Sequence, residues 1–180
     1  MIKEIDILQA WKQFLGIECK NYFYSLGVRH SLEIIFDYIT TISLPDNPVY
    51  LNIAKHCGTT YHTYQNYEFD FSDKTLLITA PNIRDLNDQE IDLLLRWLGK
   101  SESYLLIIDR VYNNRINNNI QKLINTNQVI VCYSLSKSHL SPNLMGFNVT
   151  PVGWNEDITI PQENIDKAKM LLLSKYYGNN

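Results

Sequence analysis

The chain has 180 residues, 45% of them hydrophobic, with a formal net charge of -3. That is enough apolar material for one domain with a sizeable core, and the balance of charge carries no basic footprint for nucleic acid. No apolar run approaches the ~18 residues of a membrane span, and Met1-Ile2-Lys3-Glu4-Ile5-Asp6 lacks the basic-then-apolar order of a signal peptide; the expectation is a cytoplasmic protein without a membrane partner.

In chain order, Gly27 precedes a helix expected over residues 31–42, with Leu32, Ile35, Phe36 and Ile39 on one face. Pro45-Asp46-Asn47-Pro48 reads as a turn, followed by a strand candidate at 49–54 and another at 75–80. Asn87-Asp88-Gln89-Glu90 has the form of a capping group, behind which Ile91, Leu94, Leu95 and Leu98 recur at helical spacing until Gly99. A strand at 105–109, a helix at 114–124, a strand at 128–135 and a final helix at 162–177 entered through Pro161 complete the pattern. Strands alternating with helices predict an α/β fold: three layers around a mainly parallel sheet.

Cys19, Cys57 and Cys132 are odd in number, far apart and without C-x-x-C spacing, which favours reduced buried thiols. His30, His56, His62 and His139 lack metal-ligand spacing, so no metal is expected. The 12 tyrosines fit an aromatic pocket and an AT-rich coding sequence equally well.

Ligands of open parallel sheets bind beyond the carboxyl ends of the strands, where the following helices turn their N-termini. Asn82, Asp109 and Lys137 each follow a strand candidate and stand about one strand-helix-strand repeat apart, so they are expected on a common edge. Taken singly, each has a plainer reading. A lysine after a strand is ordinarily solvated, Asp109 alone suits a cap, Tyr112 suits packing, and Asn82 suits turn chemistry after Pro81.

Together they resemble a known family. Asp109-Arg110-Val111-Tyr112 is similar to the D-x-x-Y element, and Ser134-Leu135-Ser136-Lys137 to the S-x-S-K element, of the fold-type I pyridoxal-phosphate (PLP) enzymes, in particular the class I and II aminotransferases. Pro81-Asn82 matches the family's Asn-bearing loop. The run Ser25-Leu26-Gly27-Val28-Arg29-His30-Ser31-Leu32-Glu33 resembles the glycine turn that opens its phosphate-binding helix.

The resemblance implies the large domain of a PLP-dependent transferase across residues 1–180, with 1–24 as an N-terminal arm and 162–177 as a C-terminal helix. It implies pyridoxal 5'-phosphate as cofactor, with Lys137 as the amine of the Schiff base and Asp109 against the pyridine nitrogen. Tyr112 and Asn82 are implied at the ring oxygen, and Ser134, Ser136, Gly27, Val28 and Arg29 at the phosphate. Tyr61, in Gly58-Thr59-Thr60-Tyr61, is implied near the cofactor's face. The implied function is aminotransferase-type chemistry on an amino acid or amine in a homodimer.

Two departures qualify what is implied. Where many aminotransferases carry a phosphate-gripping Arg after the lysine, this chain has Met145, so Arg29 is the expected substitute. The sequence also stops too soon after Lys137 for the family's C-terminal small domain, which reads as a shortened form. These departures leave a non-catalytic, aminotransferase-like binding or scaffold module as the alternative. An unrelated doubly wound domain for a nucleotide or protein is disfavoured by the lack of G-x-G-x-x-G and G-x-x-x-x-G-K-[ST], and hydrolysis by the lack of G-x-S-x-G.

Overall fold

Runs of Leu, Ile and Val too apolar to alternate are what a strand covered on both faces requires, and three of them form the centre of the sheet. The computed structural model describes residues 6–65, 73–79, 86–112, 117–136 and 144–177. In chain order the elements are α1 (Ile7–Leu15), β1 (Tyr22–Ser25), α2 (Val28–Phe36), β2 (Thr41–Pro45), α3 (Pro48–Cys57), β3 (Thr60–Tyr64), β4 (Thr75–Thr79), α4 (Asp88–Leu98), β5 (Leu105–Asp109), α5 (Asn118–Ile124), β6 (Val129–Ser134), β7 (Gly146–Val149) and α6 (Gln162–Tyr177). They build a seven-stranded sheet in the order β1-β7-β6-β5-β4-β2-β3. Strands β2 to β6 run parallel, while β7 is antiparallel to both β6 and β1.

Alternation along the strands divides the core in two. Leu76, Ile78, Leu106, Ile108, Val129 and Val131 pack with α1, α4, α5 and α6, where Trp11 stacks on Phe147 at 5.4 Å between ring centroids. Leu77, Ile107, Ile130, Cys132, Ile42 and Leu44 face α2 and α3 on the other side. The three-layer α/β expectation is met.

Several elements differ from their sequence expectation. Residues 49–54, expected as a strand, lie inside α3: Asn47 caps that helix by accepting the Val49 N–H, and Pro48 suits its first turn. A short apolar run does not distinguish strand from helix by periodicity, and here the cap decides. The helix expected over 31–42 begins earlier, at Val28, and ends at Phe36; Thr41 and Ile42 belong to β2, where β-branched residues pack well on a pleated surface. Helix α1 and strands β1, β3 and β7 were not anticipated. By contrast, α4 starts on a complete Asn87–Glu90 capping box and is capped by Gly99, and β5 and α6 keep their expected bounds.

Candidate functional site

Each parallel strand delivers its last residue to one edge of the sheet, and the helix that follows opens there. Strand β5 ends on Asp109 and β6 on Ser134. Ser25 ends β1 at the same edge, because Ser25 and Ser134 are both paired with Gly146 at the start of β7. The register also aligns Thr79, Asp109, Cys132, Asn148 and Phe23 as successive cross-strand neighbours. Phe23 and Cys132 belong to the core beneath α2 and α3, so this row presents Asp109 to that face, one residue pair behind Ser134 and Ser25.

Beyond Ser25 the chain turns through Gly27, whose φ of 105° is a conformation side chains rarely adopt. The turn lies against the two serines: a Cβ at Gly27 would make ordinary contacts, 3.4 Å from the Ser136 hydroxyl and 3.8 Å from that of Ser134, so it is the backbone conformation that calls for glycine. Gly27 is the N-cap of α2 and offers no side chain to its first amides, so the turn presents N–H groups and the positive end of a helix dipole. Beneath it, the Ser25 and Ser31 hydroxyls lie 2.7 Å apart and within bonding distance of the Gly27 carbonyl, and the Asn148 amide reaches Ser25 at 3.4 Å. Ser134 accepts the Ser136 N–H at 3.1 Å, and Ser136 accepts the Leu144 N–H at 3.3 Å. The first amides of α2 and the Ser134 and Ser136 hydroxyls thus meet at one point, an arrangement suited to an anion.

Asp109 is 4% exposed. One carboxylate oxygen accepts the Val111 N–H and the other the Tyr50 hydroxyl, each at 2.9 Å. Burial pushes its carboxyl above the ordinary range; the two hydrogen bonds act in the opposite direction. Among the described residues no ion pair supplies it with a cation. The same burial, followed by the Asp109 charge, pushes the Tyr50 phenol upward, so the proton stays on the tyrosine.

The structure thus gathers Gly27, Ser134, Ser136 and Asp109 on one edge, and Val28 joins them through the backbone of α2. Tyr112, just past Asp109, is 57% exposed. Lys137 and Asn82 lie outside the described residues. The Arg29 side chain is 74% exposed and pairs with Glu33 one turn on, so only its amide faces the turn. Tyr61 is not part of the gathering: it pairs with Ile42 near the amino end of edge strand β3, separated from β5 by β2 and β4. Met145 is fully buried in the core on the opposite face from α2. Tyr50 was missed because its segment was read as a strand; the Asn47-Pro48 cap signal was present and would have placed it in the first turn of a helix at this edge.

Two of the histidines have structural partners. The His30 ring accepts the Leu26 N–H, and His62 pairs with Asp73. Cys19, Cys57 and Cys132 are free thiols, and among the described residues no three His, Cys, Asp or Glu side chains cluster as metal ligands. No helix among them is long and apolar enough to cross a membrane.

No protein-family model and no curated protein matches the sequence. Solved structures do match the fold. Aminotransferase AspB from Helicobacter pylori is 22% identical, with a TM-score of 0.60 over 93% of this chain and 51% of that one. A PLP-bound C-S lyase from Staphylococcus hominis is 13% identical, with a TM-score of 0.71 over 96% and 55%. Histidinol-phosphate aminotransferase from Sinorhizobium meliloti, in complex with pyridoxal-5'-phosphate, is 14% identical, with a TM-score of 0.71 over 95% and 55%. The chain spans about half the length of these structures, and its fold is that of the α/β large domain of such fold-type I, aminotransferase-like proteins.

Proposed function

We propose that this chain holds pyridoxal 5'-phosphate and serves a PLP-dependent enzyme of aminotransferase type acting on an amino acid or amine. The observation that carries the proposal is the convergence of the Gly27 turn, Ser134 and Ser136 with the buried acid Asp109 on one edge and one face of the sheet. The donor set fits the group at both ends. Amides at the start of α2 and two hydroxyls suit a phosphate. A buried carboxylate with no cation beside it among the described residues suits a protonated ring nitrogen.

Bound there, pyridoxal phosphate supplies an aldehyde for amines and a ring that draws electrons from the neighbouring carbon. In this proposal the amides of Val28 and Arg29, with Ser134 and Ser136, grip the phosphate; Asp109 keeps the proton on the ring nitrogen. Tyr112 and Asn82 donate toward the ring oxygen. Lys137 is the amine that carries the cofactor and moves the substrate proton. The α2/α3 side of the sheet excludes water behind the acid, which strengthens its hold on the ring. A homodimer, with a second copy closing the exposed side, is the expected assembly.

A visible spectrum of the purified protein with added pyridoxal phosphate, followed by borohydride reduction and peptide mapping, tests this. The expected result is a yellow protein with the label on Lys137, and no colour in Lys137→Ala; persistent colour in that variant rejects the assignment.

One observation favours a second reading, a binding or scaffold module that has lost transamination. Met145 is buried in the core and the Arg29 guanidinium is paired with Glu33, so neither position supplies a cationic side chain to the Gly27 turn. Spectral silence with the cofactor selects this reading.

A further inference from the structure

Ser25, Ser31 and Asn148 are each 0% exposed, so these three side chains serve the Gly27 turn from beneath. Their hydrogen bonds form a chain with one direction. The Asn148 Nδ2 group can only donate, and it reaches the Phe23 carbonyl and the Ser25 hydroxyl, each at 3.4 Å. The Ser25 and Ser31 hydroxyls stand 2.7 Å apart, so one donates to the other. The one that keeps its proton free donates to the Gly27 carbonyl, which lies 3.0 Å from Ser25 and 3.1 Å from Ser31. The Ser31 N–H meets the same carbonyl at 3.0 Å as the first turn of α2 closes.

A serine inside a helix commonly bonds the carbonyl four residues back, which accounts for Ser31 alone. It does not account for an asparagine that feeds the same chain from β7. Among the described residues the Asn148 Oδ1 has no partner, and an unmet buried acceptor destabilises where an apolar side chain of that size would not. What Asn148 adds is its donor.

The carbonyl at the end of the chain shares its peptide unit with the Val28 N–H. Val28 is the first residue of α2, so that N–H has no partner within the helix and is one of the amides assigned to the phosphate above. Donors on a carbonyl draw electron density onto its oxygen, and linked hydrogen bonds strengthen one another in this way.

We propose that Ser25, Ser31 and Asn148 are positioning residues that act through the Gly27–Val28 peptide, holding its N–H toward a bound phosphate group and strengthening it as a donor. This rests on the anion reading of the Gly27 turn given above. Cooperative strengthening of a single charge-assisted bond corresponds to about two- to fourfold in affinity. The Arg29 and His30 N–H groups belong to peptide units whose carbonyls neither hydroxyl reaches, so they lie outside the relay.

The test titrates inorganic phosphate into the full chain by calorimetry and follows the backbone amides by proton–nitrogen NMR. It compares wild type, a variant carrying both Ser25→Ala and Ser31→Ala, and Asn148→Leu. The double variant is expected to bind phosphate about two- to fourfold more weakly, and Asn148→Leu to show a smaller loss. Without phosphate, the Val28 amide proton should move upfield in both variants while those of Arg29 and His30 stay in place. Unchanged phosphate affinity, or a shift spread evenly over all three amides, overturns the inference, because a merely structural loss loosens the whole turn. A wild-type chain that binds neither inorganic phosphate nor pyridoxal phosphate defeats the anion reading and the relay with it; binding by wild type that both variants match defeats the relay alone. Should the double variant fail to fold, Asn148→Leu, which leaves both hydroxyls in place, decides by the same two readouts.

Discussion

Ser25 and Gly146 face one another across the β1–β7 pair, and the serine hydroxyl fills the space that any side chain at 146 would need. The Tyr133 carbonyl closes the same space from β6, at 3.2 Å from where a Cβ would stand. Gly146 therefore lets three strand ends approach beneath the Gly27 turn and seats Ser25 where it reaches the Gly27 carbonyl.

Gly146→Ala should destabilise the protein by about 1–3 kcal/mol, the usual cost of overfilling a packed site. Adding Ser25→Ala should recover part of the loss, since the hydroxyl is the nearest obstacle; equilibrium urea unfolding of the single and double variants measures the coupling. Additive losses would show that the two residues do not compete for one space.

Gly27→Ala forces a side chain into a φ of 105° and against Ser136. A stability loss of about 1–3 kcal/mol is expected from the backbone conformation. Phosphate affinity should fall as well, because the strain is relieved by moving the first amides of α2. Calorimetric titration with inorganic phosphate checks this, and an unchanged phosphate affinity would place the anion site elsewhere.

Asp109 makes stability depend on pH in a stated direction. Its carboxyl is raised above 3.8 by burial, with the Val111 N–H and Tyr50 hydroxyl offsetting part of the rise. A raised acid stabilises the fold fully below its unfolded value and loses that contribution as pH climbs through the folded one. The urea midpoint of the cofactor-free wild type should therefore fall, relative to Asp109→Asn, as pH is increased from about 4. A difference that is flat or reversed across that window would show that burial does not raise this carboxyl in the folded protein.

At the start of α4, Asn87 accepts the Glu90 N–H and the Glu90 carboxylate accepts the Asn87 N–H, both at 2.9 Å. Asn87→Ala should cost about 1 kcal/mol by leaving an end amide without a partner. Thermal unfolding should record a drop of roughly 2–4 °C; no drop would mean that water replaces the cap without penalty.

Local signals in the sequence determined much of this protein. The central runs of β4, β5 and β6, the capping box of α4 and the glycine at the start of α2 were legible because each is a short-range pattern with one physical meaning: continuous apolar residues for a covered strand, a reciprocal cap for a helix start, a missing Cβ for a tight turn. The D-x-x-Y and S-x-S-K motifs then pointed to one edge of the sheet. Only the tertiary structure decided which face that edge presents, because Asp109 and Ser134 share a side solely through the register of β5, β6 and β7. Tertiary packing also settled what residues 49–54 are, set Tyr61 far from Asp109, brought Tyr50 onto Asp109, buried Met145 on the opposite face and left the Arg29 guanidinium exposed beside Glu33. Those relationships join residues distant in the chain, and they follow from how strands align and helices cross, which no window of neighbouring residues encodes.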